Sequence, residues 1–387
     1  MSRFGDGLAT GADLYVLADQ AAEEALTSFG DRIPDLVCVF VSGGTPDEVA
    51  AVGLQVSAAT GAGTILGCSA GGVIGGSRGV EGRAAVSVFA ALLPGVGLRS
   101  FHLEVLPVEQ GSAVVGLPEP ADDEIAVLLS DPHSFPADGF LAQTNAALPG
   151  LAVVGGQAAG PRGAGSTRLI LDGRIVDRGA VGVLLQGSGA TSIVSQGCRP
   201  VGPAMTVTAA RGNIVQGLAG EPALQRIERV LADLPPEDQA LASAGLQLGI
   251  AMDEYADDHD FLVRPLLGGD RDTGAVAVGD VVEVGCTVRL QVRDADTADA
   301  ALRSSLAGFR RNSSDTPAGG VLLFSCNGRG AHLFGESFSG ADHDPALVRR
   351  ELAAAAVAGF FAGGELGPVA GRNHLHGFTA SILAFPG

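Results

Sequence analysis

Short apolar runs alternate with amphipathic stretches along the chain, and their order predicts its elements. Residues 12–28 carry apolar side chains at helical spacing, whereas the run LVCVFVS at 36–42 is typical of a buried strand. Thr45 and Glu48 then form a capping-box pattern, which predicts a helix over 46–59. This alternation predicts an α/β fold whose mixed, largely antiparallel sheets are flanked by helices in a layered sandwich.

The same patterns predict further elements as far as the C-terminus. Strands are predicted at 64–69, 85–93, 98–108, 124–131, 151–158, 281–295, 320–326 and 377–385. Helices are predicted at 138–148, 222–234, 296–311 and 345–358. Asp172-Gly173 between two apolar runs predicts a hairpin, whereas residues 109–123 are predicted to form a loop. A change in composition near 203–220 predicts two domains, residues 1–205 and 206–387.

A glycine-rich motif occurs twice in the chain. The segments GCSAGGVIG at 67–75 and GFFAGGELG at 359–367 share four glycines and one alanine, and both follow a strand and a helix that begins with proline. This repeated order predicts two related halves. The predicted backbone turns are at Gly71, Gly72, Gly363 and Gly364. Missing side chains permit the close approach of another backbone or of a ligand, and both interpretations stay open.

Composition and charge narrow the function. The chain has 24 basic and 43 acidic residues, and its net charge of −19 disfavours binding to nucleic acids. Every basic residue is an arginine, which excludes P-loop, kinase and pyridoxal enzymes because these need a lysine. Five cysteines without a C-x-x-C motif favour a reducing compartment. The chain has no long apolar run and no signal-peptide pattern, so it is predicted to be soluble and cytoplasmic, with no membrane insertion. No cofactor is predicted.

Polar side chains that could bind a ligand concentrate near the C-terminus. A thiol, an amide and a guanidinium directly follow the apolar strand 320–326, and a second polar group follows the repeated motif. The predicted ligand-binding residues are Cys326, Asn327, Arg329, Glu365, Arg372, Asn373 and His376. His374 and His376 with Glu365 also have the residue types of a metal site, but a hydrogen-bonded buried histidine is favoured and no metal is predicted. The acidic runs at 257–260 and 342–344 are predicted to be solvated surface.

Two residues are candidate nucleophiles for an enzyme. The segment GCSAG matches the G-x-S-x-G motif around Ser69, and Cys326 offers a thiol. A nucleophile elbow must lead into a helix, which the glycines after Ser69 disfavour. The second copy of the motif has Phe361 in place of this serine. No catalytic residue is therefore assigned, and a serine or thiol hydrolase with His133 or His376 as its base stays an alternative.

The motifs GCSAGGVIG, VSVFAALLPG, FSCNGRG and GFFAGGELGPVAGRNHLHGFTA together resemble the FIST family, over about residues 34–380. The resemblance implies an N-terminal and a C-terminal FIST domain and a sensory role in signal transduction. It also implies binding of a small polar metabolite such as an amino acid, in a cleft between the two glycine-rich halves. The chain shows no kinase, chemoreceptor, cyclase or F-box segment, so a separate signalling protein or a homo-oligomer is expected to carry the output. A non-catalytic adaptor role is the remaining alternative.

Overall fold

The chain forms two compact units. The computed structural model describes residues 1–387 except 110, 161–162, 253, 255–260 and 314–315. The first unit contains residues 1–195, 302–375 and 379–387, and the second contains residues 196–301 and 376–378. Among the described residues, no helix is both long and apolar enough to cross a bilayer.

The first segment of the chain contains a β-α-β unit with parallel strands, then a hairpin and a returning antiparallel strand. Its elements are β1 (Arg3–Thr10), α1 (Leu14–Leu26), β2 (Leu36–Ser42), α2 (Pro46–Thr60), β3 (Thr64–Ala70), β4 (Gly72–Gly75), β5 (Arg78–Glu81) and β6 (Ala85–Leu92). The predicted capping box opens α2: Thr45 accepts the Glu48 N–H at 3.3 Å, and the Glu48 carboxylate accepts the Thr45 N–H at 2.7 Å.

The second segment repeats this order. Its elements are β7 (Gly97–Val108), β8 (Gly111–Val115), β9 (Glu124–Ser130), α3 (Ala137–Ala147), β10 (Ala152–Gln157), β11 (Leu169–Leu171), β12 (Arg174–Val176) and β13 (Ala180–Gln186). β11 and β12 form the hairpin predicted at Asp172-Gly173. The loop predicted over 109–123 is wrong in part, because β8 pairs back onto the end of β7.

A closed barrel follows in the second unit. After β14 (Thr191–Gln196), the chain forms β15 (Cys198–Arg211), β16 (Ile214–Leu218), β17 (Glu221–Pro222), α4 (Ala223–Asp233), α5 (Pro236–Gly245), β18 (Leu246–Ala251), β19 (Phe261–Gly269), β20 (Val276–Val278) and β21 (Thr287–Arg293). Pairing runs β15-β21-β18-β19-β20-β16, and β16 returns to β15. The strand predicted to begin at residue 281 begins at Thr287. The boundary predicted between residues 205 and 206 lies within β15, and the division of the family domains there stays a prediction.

The last segment completes the first unit. Its elements are α6 (Ala295–Asn312), β22 (Ala318–Cys326), α7 (Ala331–Phe334), α8 (His343–Glu351), β23 (Ala356–Ala362), β24 (Glu365–Val369), β25 (Arg372–His376) and β26 (Thr379–Pro386). The helix predicted over 345–358 is wrong beyond Glu351. Ala353 has a φ of +46°, which ends the helix, and β23 then pairs with strands on both sides. The tertiary pairing overrides the helical propensity of the alanine run.

The predicted internal repeat is confirmed, and the structure adds a third copy. The copies contain β2-α2-β3, β9-α3-β10 and β22-α8-β23, each with parallel strands and each followed by a hairpin and an antiparallel strand. Each hairpin joins the sheet of another copy. The sheet orders are β1-β6-β2-β3-β11-β12, β8-β7-β13-β9-β10-β24-β25 and β14-β26-β22-β23-β4-β5. The hairpins thus link the three copies cyclically.

One glycine of the motif serves the same packing role in every copy. Residues 155–163, GGQAAGPRG, hold the motif of the middle copy, so that Gly67, Gly155 and Gly359 are equivalent. A Cβ atom on these glycines would lie 2.3, 1.9 and 1.8 Å from a carbonyl oxygen of the adjacent parallel strand. Close strand packing therefore explains this position without a ligand.

The core lies between the inner faces of the three sheets. Phe40, Phe324 and Phe360 meet there with ring centroids 5.1–6.4 Å apart. Helices cover the outer faces: α1 and α2 pack on the first sheet, α3 on the second, and α6 and α8 on the third. This arrangement holds the ends of β3, β10 and β23 rigidly together.

Candidate functional site

The turns that leave the central strands lie side by side in the first unit. The Ala159 N–H donates to the Ser69 carbonyl at 3.1 Å, and the Gly363 N–H donates to the Gln157 carbonyl at 3.0 Å. Gly71 and Gly363 are both exposed. A Cβ atom on Gly363 would have no neighbour closer than 3.8 Å, so packing does not require glycine there. The surface at these strand ends is therefore open.

A buried ion pair lies next to the turn in the third copy. Arg329 donates from Nε to Asp344 Oδ2 at 2.8 Å and from Nη2 to Asp344 Oδ1 at 2.9 Å. Ser325 donates to the same carboxylate at 2.7 Å, and His343 Nδ1 lies 2.8 Å from it. Asp344 is buried at the start of α8, so the prediction of solvated surface for residues 342–344 is wrong at this residue. The sequence patterns did not predict Ser325, His343 and Asp344 as a group.

The Arg329 guanidinium contacts Asp344 and Phe334, but one of its nitrogen atoms makes no hydrogen bond to the described residues. Burial alone would lower the pKa of Arg329, but the charge and hydrogen bonds of Asp344 outweigh it and raise the pKa. The same pairing outweighs burial at Asp344 and lowers the pKa of its carboxyl. Phe334 lies under the guanidinium, with 5.4 Å between Cζ and the ring centroid. Arg329 Nη1 is buried and has no hydrogen-bond partner among the described residues.

Glu365 contributes a second buried charge to this cluster. It is 0% exposed, and its Oε2 accepts the Thr379 N–H at 3.1 Å. Oε1 has no conventional hydrogen-bond partner in the described part of the chain, although the Cys326 thiol acts on the carboxyl as a weak donor. Burial raises the pKa of Glu365 well above 4.5, and Cys326 and Arg329 offset this only in part. The carboxyl therefore retains its proton to a higher pH than an exposed glutamate.

Replacing Glu365 with glutamine is expected to stabilise the protein as the pH rises. The raised pKa means that folded protein binds more protons than unfolded protein above pH 4.5, so this carboxyl increasingly destabilises the fold at higher pH. Glu365→Gln removes that penalty, and urea unfolding should show a gain of about 1–3 kcal/mol at pH 8. No gain is expected at pH 4, where the group is protonated in both states.

A matched glutamate should respond in the opposite direction. Glu124 is also buried, but its carboxylate pairs with Arg99 at 2.7 Å and accepts the Ala121 N–H at 2.7 Å. Glu124→Gln should therefore lower the free energy of unfolding at pH 8. A Glu365→Gln variant that lost stability there as well would contradict the assignment of Glu365 as an uncompensated carboxyl.

Cys326 lies at the end of β22, between the ion pair and the open turn. Its Sγ accepts the Gly328 N–H at 3.4 Å, and the residue as a whole is 8% exposed. The neighbouring Asn327 is exposed, and its Oδ1 lies 3.2 Å from the Cβ position built on Gly71. The structure thus brings together Cys326, Arg329 and Glu365, with Asn327 at the surface beside them.

Asn373 lies elsewhere and has a structural environment. Its side chain accepts the Val153 N–H at 2.8 Å and donates to the Leu151 carbonyl at 2.8 Å. Its backbone exchanges hydrogen bonds of 2.8 and 2.9 Å with the side chain of Asn145. These bonds attach β25 to α3, to Leu151 and to the start of β10. Backbone groups thus take one acceptor site and one N–H of the Asn373 amide, which gives this side chain a structural role.

Arg372 and His376 are the remaining predicted ligand-binding residues. Arg372 is exposed on β25, and His376 is buried and belongs to the second unit. Their roles in binding stay predictions. Among the described residues, no three histidine, cysteine, aspartate or glutamate side chains are arranged to hold a metal ion. The acidic run at 257–260 lies outside the described residues.

Ser69 does not occupy a nucleophile elbow. β3 passes through Gly71 directly into strand β4, not into a helix. Ser69 is buried, and its Oγ accepts the Arg168 N–H at 3.0 Å. His133, proposed as a base, is exposed at the end of β9. The motif therefore marks a strand-to-strand turn here.

Comparison with known proteins agrees with the sequence motifs. The FIST N domain model matches residues 35–221 and the FIST C domain model matches residues 223–368. An uncharacterised protein of Mycobacterium tuberculosis is 40% identical over 387 residues, which cover 99% of both chains. An uncharacterised protein of Mycobacterium bovis is 39% identical over 389 residues, covering 99% of this chain and 98% of the relative. The chain therefore belongs to the FIST family, whose domains are sensory, ligand-binding modules of signal transduction.

Proposed function

We propose that this protein senses a small zwitterionic metabolite, of the amino-acid class, at the cluster of Cys326, Arg329 and Glu365. One observation carries the proposal: Arg329 Nη1 and Glu365 Oε1 are buried and have no conventional hydrogen-bond partner among the described residues, and they belong to an acidic and a basic group. A buried polar atom without a partner costs about 1–3 kcal/mol, so both atoms favour a ligand that satisfies them. A carboxylate suits the arginine, and an ammonium suits the glutamate.

The charges in the cluster explain why a zwitterion is preferred to a simple anion. Asp344 already neutralises Arg329 through two hydrogen bonds, which leaves only Nη1 for a ligand carboxylate. Glu365 Oε1 has no hydrogen-bond partner among the described residues, and the charge of Arg329 offsets the burial of this carboxyl only in part. An ammonium would replace the proton that the raised pKa of Glu365 retains. Ligand binding should therefore release a proton, and affinity should increase with pH.

The open turns supply the route by which such a ligand would reach the cluster. Gly363 directly precedes Gly364 and Glu365, and it is exposed, with no atom closer than 3.8 Å to the position of a Cβ atom on it. Asn327 is exposed at the same strand end and offers both a donor and an acceptor. Arg372 is proposed to make a second contact to the ligand carboxylate, and its role is tested separately from those of Arg329 and Glu365.

A thermal-shift screen against amino acids, carboxylates and amines tests this function. At about 100 times its dissociation constant, a true ligand should add about 2.7 kcal/mol of stability and raise the melting temperature. Glu365→Gln keeps the shape of the side chain and should abolish the shift for amino acids. Arg372→Ala decides whether that exposed arginine takes part, and Arg178→Ala, at an exposed arginine beside β13, is the control.

Two outcomes would overturn the proposal. One is an amino-acid shift of undiminished size in Glu365→Gln, which would place binding elsewhere. The other is the absence of any shift across the panel with folded wild-type protein. This result would favour the alternative of a non-catalytic adaptor, in which the strand ends only pack against one another.

A further inference from the structure

Cys326 differs from Cys38, Cys68 and Cys286 in what surrounds its sulfur. The Gly328 N–H donates to Sγ at 3.4 Å, the Arg329 guanidinium acts on it through its charge, and Glu365 shares a hydrogen bond with the thiol. A donor, a cation and a proton acceptor around one sulfur are the surroundings of a reactive thiol. We propose that Cys326 is a site of oxidation by small hydroperoxides, forming a sulfenic acid.

Burial and charge give three other cysteines different surroundings. Cys38 and Cys68 are 0% exposed within the core of the first unit. Burial raises the pKa of Cys38 to about 12 and that of Cys68 well above 9. Burial raises the pKa of Cys286 in the barrel, and neighbouring acidic residues raise it further by a smaller amount. Reactivity at Cys326 is therefore expected to exceed what its 8% exposure alone would give.

Glu365 and Arg329 match the demands of this chemistry. The sulfur attacks the terminal peroxide oxygen, and the oxygen–oxygen bond breaks. Glu365, which its raised pKa keeps protonated, gives its proton to the leaving alkoxide or hydroxide and takes the thiol proton in exchange as the sulfur–oxygen bond forms. Arg329 Nη1 is available to stabilise the negative charge on the leaving oxygen. In sum, the thiol and ROOH give the sulfenic acid and ROH, with sulfur oxidised and the peroxide reduced by two electrons.

The narrow access favours a peroxide over larger electrophiles. Only 8% of Cys326 is exposed, and hydrogen peroxide is small enough to reach such a sulfur. A peroxide also needs a proton donor and a charge stabiliser at its leaving oxygen, which Glu365 and Arg329 provide. The oxidation needs no bound metabolite, because Glu365 supplies the proton transfer and Arg329 stabilises the charge on the leaving oxygen.

Trapping of the sulfenic acid tests the inference. Reduced protein is treated with hydrogen peroxide in the presence of dimedone, and peptide mass spectrometry quantifies the adduct at each cysteine. Labelling at Cys326 should exceed labelling at the half-buried Cys198 and Cys286 by about tenfold. Glu365→Gln should slow labelling at Cys326 by at least about tenfold, because the proton transfer is lost. Cys286→Ser should leave the rate at Cys326 unchanged.

The possible results separate this inference from the proposed function. Labelling in proportion to exposure, with Cys198 or Cys286 ahead of Cys326, would overturn it. An unchanged rate in folded Glu365→Gln would overturn it too. The amino-acid panel repeated on Cys326→Ser distinguishes the two ideas: a retained thermal shift with no labelling at position 326 supports metabolite binding and oxidation as separate activities of one cluster.

Discussion

Replacing Arg329 with methionine is expected to lower the free energy of unfolding by about 3–5 kcal/mol. Methionine keeps much of the apolar contact with Phe334 but removes both hydrogen bonds to Asp344. The carboxylate then stays buried with Ser325 and His343 and without its cation, which is the costly outcome of breaking a buried ion pair. Urea unfolding at pH 7 measures the loss.

A second substitution identifies the cause of that loss. Arg329→Met combined with Asp344→Leu removes both charges, so the double variant should be more stable than Arg329→Met alone. Arg178→Met is the surface control, because its pair with Asp177 has side chains 77% and 60% exposed and should contribute less than about 1 kcal/mol. An Arg329→Met loss no larger than that of Arg178→Met would show that the buried pair is not a stabilising element.

The sequence predicted Arg329 as a polar pocket residue but did not predict its ion pair with Asp344. A guanidinium after a strand indicates a polar pocket, and the structure does place this one beside Cys326 and Glu365. Its partner was misassigned because three polar residues at 342–344 have the composition of solvated surface. The available signal was Pro345, because a helix that begins with proline has the preceding residue, Asp344, as its N-cap rather than as part of a solvated loop. In the structure α8 begins at His343, and the Asp344 carboxylate is buried against Ser325 and Arg329.

The third copy of the repeat escaped the sequence analysis for a related reason. Its motif has Ala159 where the others have Gly71 and Gly363, and its hairpin begins only at Leu169, after an intervening loop. Two copies of a motif suggest two halves, and nothing in the chain order reveals that hairpins are exchanged between copies. Local patterns thus predicted most strands and helices of the first unit, whereas strand order depends on pairings far apart in sequence.

The glycines of the repeated motif offer the sharpest test of the repeated fold, because Gly359 within β23 and Gly363 after it should respond differently. Gly359→Ala is expected to destabilise the protein by about 3 kcal/mol or more, or to prevent folding. Its Cβ would lie 1.8 Å from the Leu323 carbonyl oxygen, and neither strand can shift because β23 pairs on both sides. Gly363→Ala, four residues further on, adds a methyl group 3.8 Å from its nearest neighbour and should change stability by less than about 0.5 kcal/mol.

The same comparison separates packing from ligand binding along the motif. Gly67→Ala and Gly155→Ala should resemble Gly359→Ala, since each equivalent Cβ meets a carbonyl oxygen at 2.3 Å or less. Gly363→Ala should leave the fold intact yet weaken the thermal shift produced by an amino acid, because its methyl group occupies the open space at the strand ends. If Gly363→Ala destabilised the protein as much as Gly359→Ala, that space would be closed in solution. All glycines of the motif would then serve strand packing, and the route proposed for the ligand would be wrong.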